Sequence, residues 1–254
     1  MTLDAFGEDA GWLARYAVSR EGEVVPWPLI EAHMRATKPY EVFGLRAMLA
    51  VSYFEKALYE LPEEEVTADR IVALADEVEK RLQGGLSPRP LMSVPHILAD
   101  EASAYYHGYT LASMAVHQNR AAFRRMLGTH DLADRPEVGA WLTQGYFLAG
   151  NTRGFLPLVE ELTGSPLSAD AWVSDLETGI DAAVAQAKKD YDVAIAAGPR
   201  FKPGDAAVEQ ALAMRVVLSD GDVTIADSAV DGGLGGACDK FKAWVRAKFF
   251  NEGA

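Results

Sequence analysis

Tyr105, Tyr106, His107 and Tyr109 place three phenols and an imidazole within five residues, and His96 precedes them directly after Pro95. Phenols and imidazoles are the side chains that can donate a hydrogen bond to a developing oxyanion near neutral pH. On a helix, Tyr106 and Tyr109 are three apart and share a face. His107 then points away from Tyr109, toward Ser103, Leu111 and Met114. By spacing alone the same residues describe a core aromatic cluster whose hydroxyls bond backbone or water, and that reading outweighs the chemical one.

Other motifs that carry chemistry are missing. There is no G-x-x-x-x-G-K-[ST], no C-x-x-C, no H-E-x-x-H and no G-x-S-x-G. The run Asp231-Gly232-Gly233-Leu234-Gly235-Gly236 has the glycines of a phosphate loop but neither its lysine nor its strand-to-loop context. The histidines are His33, His96, His107, His117 and His130. His107 and His117, ten apart on one helix, are turned roughly 80° from each other at ~3.6 residues per turn, which suits two ligands of one metal poorly. A catalytic zinc needs about three protein ligands. The chain alone is therefore expected to hold no metal.

The 254 residues carry a formal net charge of −13, and 49% of them are apolar. That is enough for one large domain or two small ones. The acidic balance argues against nucleic acid and anionic membrane as partners, since both need a basic face. It reads chiefly as solvated helix faces such as Glu63-Glu64-Glu65. The single cysteine, Cys238, allows no internal disulfide and fits a reducing, cytoplasmic setting. No stretch reaches the ~18 apolar residues of a membrane span, and the first residues show no secretory signal pattern.

The elements that must position the aromatic segment are helical. Helical periodicity runs from Glu8 to about Ala196. The first helix is expected to end at Gly22, and Pro28 sits in the first turn of the second. After Pro39, the helix up to Pro62 is apolar most of the way round, which predicts burial on several sides. Thr67 caps the next helix and Gly84-Gly85 end it. An irregular stretch up to Pro95 leads into one long helix, read from about Leu98 to Leu127. Shorter helices follow, and Ser168 is read as the cap of a single helix up to about Ala197. Beyond Gly198 come a linker, a β-hairpin over about 213–227 turning at Asp220-Gly221, and a helix over about 238–250. The expected fold is mainly α, with a multi-helix body over 1–198 and a small α+β tail over 199–254.

Several segments, in order, resemble the C-terminal part of the catalytic domain in the thimet oligopeptidase and oligoendopeptidase F family of zinc metallopeptidases. WLARYAVSREGEVVPWPLIEAHMRA resembles the region just beyond the family's third zinc ligand, and FGLRAMLAVSYFEKALYEL its long helix of small and aromatic residues. GGLSPRPLMSVPH stands in the place of its glycine-containing substrate loop and following histidine, and YYHGY in that of its tyrosine-rich helix. The stretch from Ala133 to Val173, with its GNTRG loop and LTG-x-P, is similar to the closing pattern. The resemblance runs from about Gly11 to Ala183.

In that family the tyrosines of this helix and the preceding histidine polarise the scissile carbonyl. By position, the resemblance assigns that role to Tyr109, Tyr106 and His96. The family's earlier tyrosine falls on Ala102, and a gap one residue longer after His96 leaves His107 as a rival. Gly84, Gly85 and Arg153 fall where substrate-binding loops are expected. The H-E-x-x-H segment and the third zinc ligand fall outside this sequence. The resemblance thus implies zinc in a complete enzyme, a peptide substrate, and a missing N-terminal portion or partner chain that supplies metal and general base. The chain is then a fragment, half of a split enzyme, or an inactive descendant, the alternative being a non-catalytic helical binding or scaffold protein. An uncovered apolar face would favour a homo-oligomer.

Overall fold

In a computed structural model of the chain, the described residues are 7–19, 21–86, 90–99, 101–198 and 214–250. The linker expected just after Gly198 and residues 87–89 of the irregular stretch lie outside them. The fold is mainly α, and the only described sheet is a two-stranded hairpin. The chain forms two compact units, one of residues 1–13 and 26–194, the other of 14–25 and 195–254.

The larger unit begins in α1 (Ala10–Tyr16) and resumes at α2 (Trp27–Thr37), which has proline in its first turn as expected. A 3₁₀ turn at Lys38–Tyr40 leads into α3 (Glu41–Tyr59). Next is α4 (Ala68–Gln83), capped by Thr67, whose Oγ1 accepts from Arg70 N, and closed by left-handed Gly84. Ala50, Val51 and Phe54 of α3 meet Leu74, Ala75 and Val78 of α4. Leu91, Val94 and Ile97 close the same core from two 3₁₀ turns, their spacing of three placing all of them on one side. The all-round burial expected for α3 is not found. Val42 and Tyr53 are exposed, because α3 packs on α4 and α5 along one face.

The single helix expected from Leu98 is also corrected. Pro95–Leu98 is a 3₁₀ turn, Ala104 has φ +56, and α5 runs only over His107–Leu127. A left-handed alanine cannot continue a helix. α6 (Pro136–Leu142) passes into one π turn, Thr143–Phe147, and α7 (Phe155–Thr163) ends at left-handed Gly164. Phe123 of α5 and Trp141 of α6 stack at 5.5 Å in a second core with Leu132 and Val138. The helix expected after Ser168 is two, α8 (Asp170–Glu177) and α9 (Ile180–Ala197). Thr178 is extended, with ψ 116, and Gly179 follows it, a pair that favours a break. Ser168 does act at that start, its Oγ accepting from Asp170 N at 3.0 Å.

In the smaller unit the first helix ends at Tyr16, not Gly22. Val18 and Val24 form an antiparallel bridge, and Gly22 (φ +86) turns the chain between them. β1 (Val217–Asp220) pairs with β2 (Val223–Asp227) around Gly221, with a bulge between Leu218 and Ser219. α10 (Gly233–Phe249) starts five residues earlier than expected, taking in most of the glycine run. One of those glycines has a steric reason: a Cβ on Gly236 would stand 1.8 Å from the Asp231 carbonyl oxygen.

Asp227 anchors this unit. Its buried carboxylate accepts from Arg215 Nε at 3.0 Å and from Ala229 N at 3.0 Å. The Arg215 guanidinium, then the Ala229 N–H, pull its pKa from 3.8 to about 2. A carboxyl depressed by folding stabilises the fold above its unfolded value and loses that contribution as pH falls through the folded value. Stability should therefore drain between 3.8 and about 2. Amide-exchange protection along Val217–Asp227 should be lower in Asp227→Asn than in wild type at neutral pH. The gap should close as the wild type is taken through that acid window; a gap unchanged by acid would remove Asp227 as its source.

Candidate functional site

The geometry gathers His96, Tyr106 and Tyr109. His96 Nε2 and the Tyr109 hydroxyl are hydrogen-bonded at 3.1 Å. The His96 ring stands edge-on to both phenols, at 5.4 Å from Tyr106 and 5.6 Å from Tyr109, and the two phenol rings are 5.0 Å apart. Tyr109 is 38% exposed, whereas Tyr106 is half-buried against the α3–α4 core. The cluster thus has a packed side and a wet side.

Each member is held by its backbone. Tyr59 donates its hydroxyl hydrogen to the Ile97 carbonyl at 3.0 Å, and Ile97 is buried, which fixes the turn carrying His96. Ser103 Oγ donates to Ala99 O at 2.9 Å in the following turn. Tyr106 is the residue before α5, and its N–H donates to Glu55 Oε2 at 3.0 Å. Glu55 is 2% exposed and comes from α3. A carboxylate at this position satisfies one of the free N–H groups of the helix start and meets the positive end of its dipole. Glu55 was not among the residues expected at the site. Its signal in the sequence is an acid at a core position of an otherwise apolar stripe, between Val51 and Leu58.

His96 Nδ1 is buried and has no hydrogen-bond partner. A buried N–H left unpaired is the rarer kind of orphan, so the pattern assigns the ring proton to Nε2. Nε2–H then donates to the Tyr109 oxygen. The phenol proton of Tyr109 is left to donate outward, on its exposed side. Such an arrangement can bind and polarise a carbonyl oxygen.

The other expected residues stand apart from this cluster. His107 is exposed, and its ring neighbour is Tyr105 at 6.4 Å. Gly84 and Gly85, at φ +64 and +78, end α4. Arg153 pairs with Glu161, its Nη1 donating to Oε2 at 2.8 Å. Among the described residues no group of three His, Cys, Asp or Glu could hold a metal.

Two further histidines sit in pairs that sequence reasoning missed, because their partners are 58 and 60 residues away. His117 Nδ1 is 2.5 Å from Asp175, and its ring stacks on Trp172 at 5.2 Å. His130 Nδ1 lies 3.0 Å from Asp190. Burial opposes the charge on each carboxylate, but the histidine hydrogen bond leads the effects that outweigh it, so both pKa values fall below 3.8. Beside Asp175, burial and then Arg124 lower the Arg120 guanidinium below its ordinary value. These pairs tie α5 to α8 and the loop after α5 to α9.

The Glu55 cap is testable through stability. Glu55→Ala leaves the Tyr106 N–H buried without an acceptor and should cost about 1–3 kcal/mol in chemical denaturation. Glu55→Gln keeps an acceptor oxygen and should cost less. Equal stability of wild type and Glu55→Ala would remove Glu55 as the anchor of α5.

No family model, no curated protein and no solved structure matches this chain.

Proposed function

We propose that the chain is the carbonyl-polarising part of a peptide-hydrolysing catalytic domain, with Tyr109 as the principal donor. The observation that carries this reading is the His96–Tyr109 hydrogen bond at the exposed edge of the cluster. Three residues singled out from the sequence for one role, thirteen positions apart at the extremes, meet within hydrogen-bonding and ring-contact distance.

The chemistry of these residues is limited and specific. Tyr109 donates its phenol proton to the oxygen of a bound peptide carbonyl. His96 Nε2–H keeps the phenol oxygen aligned and compensates the electron density that it gives up. Tyr106 walls the site from inside and holds the imidazole edge-on. Donors fixed in advance toward an oxygen on which charge develops act without reorganisation during the reaction. The zinc and general base of the resembled peptidases would have to come from another polypeptide segment. No hydrolytic step is assigned to this chain alone.

The test is reconstitution. The chain is mixed with zinc and with a polypeptide carrying the H-E-x-x-H segment, sought in the reading frame upstream of Met1 or next to it. An internally quenched peptide reports cleavage. Cleavage should require both chains, and Tyr109→Phe should lower kcat by roughly a hundredfold to a thousandfold with KM little changed. Absence of cleavage in the complete mixture would defeat this reading and favour a binding or scaffold protein.

A further inference from the structure

A second concavity lies farther along α5. Ala112, Ala115, Val116 and Asn119 of that helix form one wall, and Tyr146, Gly150, Phe155 and Leu158 the other, around a cleft of about 310 Å3. This is the lower end of the ~300–1,000 Å3 range of small-molecule sites. The lining is apolar except for Asn119 and Tyr146.

Those two polar residues are arranged in a particular way. The Tyr146 hydroxyl donates to Asn119 Oδ1 at 2.9 Å. Asn119 is 3% exposed, and its Nδ2 has no acceptor among the described residues. The pair therefore offers one N–H donor, on Asn119 Nδ2, and one acceptor, the lone pairs of the Tyr146 oxygen. A primary or secondary amide presents the complementary acceptor and donor side by side. An ester of the same shape offers only the acceptor. A charged carboxylate or ammonium would have to leave water for an apolar cleft that holds no opposite charge.

The backbone that presents Tyr146 is unusual. Tyr146 sits in the π turn Thr143–Phe147, closed by Leu148 N donating to Thr143 O at 2.9 Å. Single π turns inside helices recur at functional sites. Gly145 permits this one to lie against α7, since a Cβ there would stand 3.1 Å from Leu162 Cδ1. Burial also raises the Tyr146 pKa above 10, against the smaller opposing effect of Asn119, which keeps the phenol neutral.

We infer that the cleft between α5 and the π turn is a binding site for a small neutral carboxamide with an apolar body, its carbonyl accepting from Asn119 Nδ2 and its N–H donating to the Tyr146 oxygen. This inference is independent of the His96 cluster, which lies at the other end of α5's first turns and needs no ligand here. The site requires no partner chain and no metal.

The experiment uses the full chain, with benzamide as probe and methyl benzoate as its shape-matched ester, both titrated by ligand-observed NMR. Benzamide should bind about tenfold more tightly than the ester, the size expected for one hydrogen bond made in a dry site. Val116→Phe, which fills the cleft, should abolish benzamide binding. Asn119→Asp, which keeps an acceptor for the Tyr146 hydroxyl but turns a carboxylate toward the ligand carbonyl, should weaken it by at least about tenfold. Circular dichroism checks that both variants are folded; should Val116→Phe not be, Ala112→Phe takes its place as the cleft-filling change. The inference is overturned if benzamide does not bind, if the ester binds equally well, or if benzamide binding survives in a folded cleft-filling variant.

Discussion

One buried carboxylate decides where the principal helix begins. Glu55 projects from the C-terminal part of α3 into the core and accepts the N–H of Tyr106. A helix start leaves its first N–H groups without partners inside the helix. Most starts meet this need with a local serine, threonine or aspartate, as Thr67 does for α4. α5 has no such side-chain cap and takes its acceptor from a residue 51 positions earlier. The start of α5 is thus a tertiary property. Moving it by one residue would turn Tyr109 by about 100° around the helix and break its meeting with His96.

The rest of α5 works as a spine to which later segments attach. Gln118 is buried and uses both ends of its amide. Its Nε2 donates to Thr163 Oγ1 at 2.8 Å and to Pro166 O at 3.1 Å, and its Oε1 accepts from Ser168 N at 2.9 Å. One side chain thereby fixes the whole Thr163–Ser168 turn, which gives a physical reason for the LTG-x-P pattern. A turn that leaves a helix at a left-handed glycine and passes through proline exposes carbonyls and N–H groups that no regular element satisfies. At the adjacent position, His117 engages Asp175 and Trp172 of α8. The polar contacts of α5 hold irregular chain in place, while its apolar contacts, such as Phe123 on Trp141, supply burial.

What could be read from the sequence was what depends on neighbours in sequence. Pro28, Thr67, Gly84, Gly164 and the turn at Gly221 act over one to four residues, and each does what its type requires. The pairing of Tyr106 with Tyr109 belongs here too, since it needs only a spacing of three. The break before α5 could not be read that way. Ala104 has no intrinsic preference for positive φ; it is held there because the turns on either side are fixed by Ile97 and by Glu55. The same holds for the π turn, where Gly145 is the sole local hint, and for the His117–Asp175 and His130–Asp190 pairs. For the candidate site, spacing placed Tyr106 and Tyr109 together, and the resemblance put His96 ahead of His107; the turn at Pro95–Leu98 that carries His96 to Tyr109 was not legible.

The electrostatics of the α5 start also bear on what the cluster can hold. The N-terminus of a long helix attracts anions, because its free N–H groups and dipole present positive charge. Here that attraction already faces the carboxylate of Glu55, from the core side. Beside it stand two phenols, that of Tyr109 exposed and that of Tyr106 half-buried, and an imidazole whose buried Nδ1 has no hydrogen-bond partner. A phosphate or carboxylate ligand would lie close to the buried acid Glu55. A neutral carbonyl meets no such penalty, and it gains most from the single donor that Tyr109 offers as its oxygen becomes more negative. On the proposed function, an acid at the helix start favours a neutral group that acquires charge over one that brings charge with it.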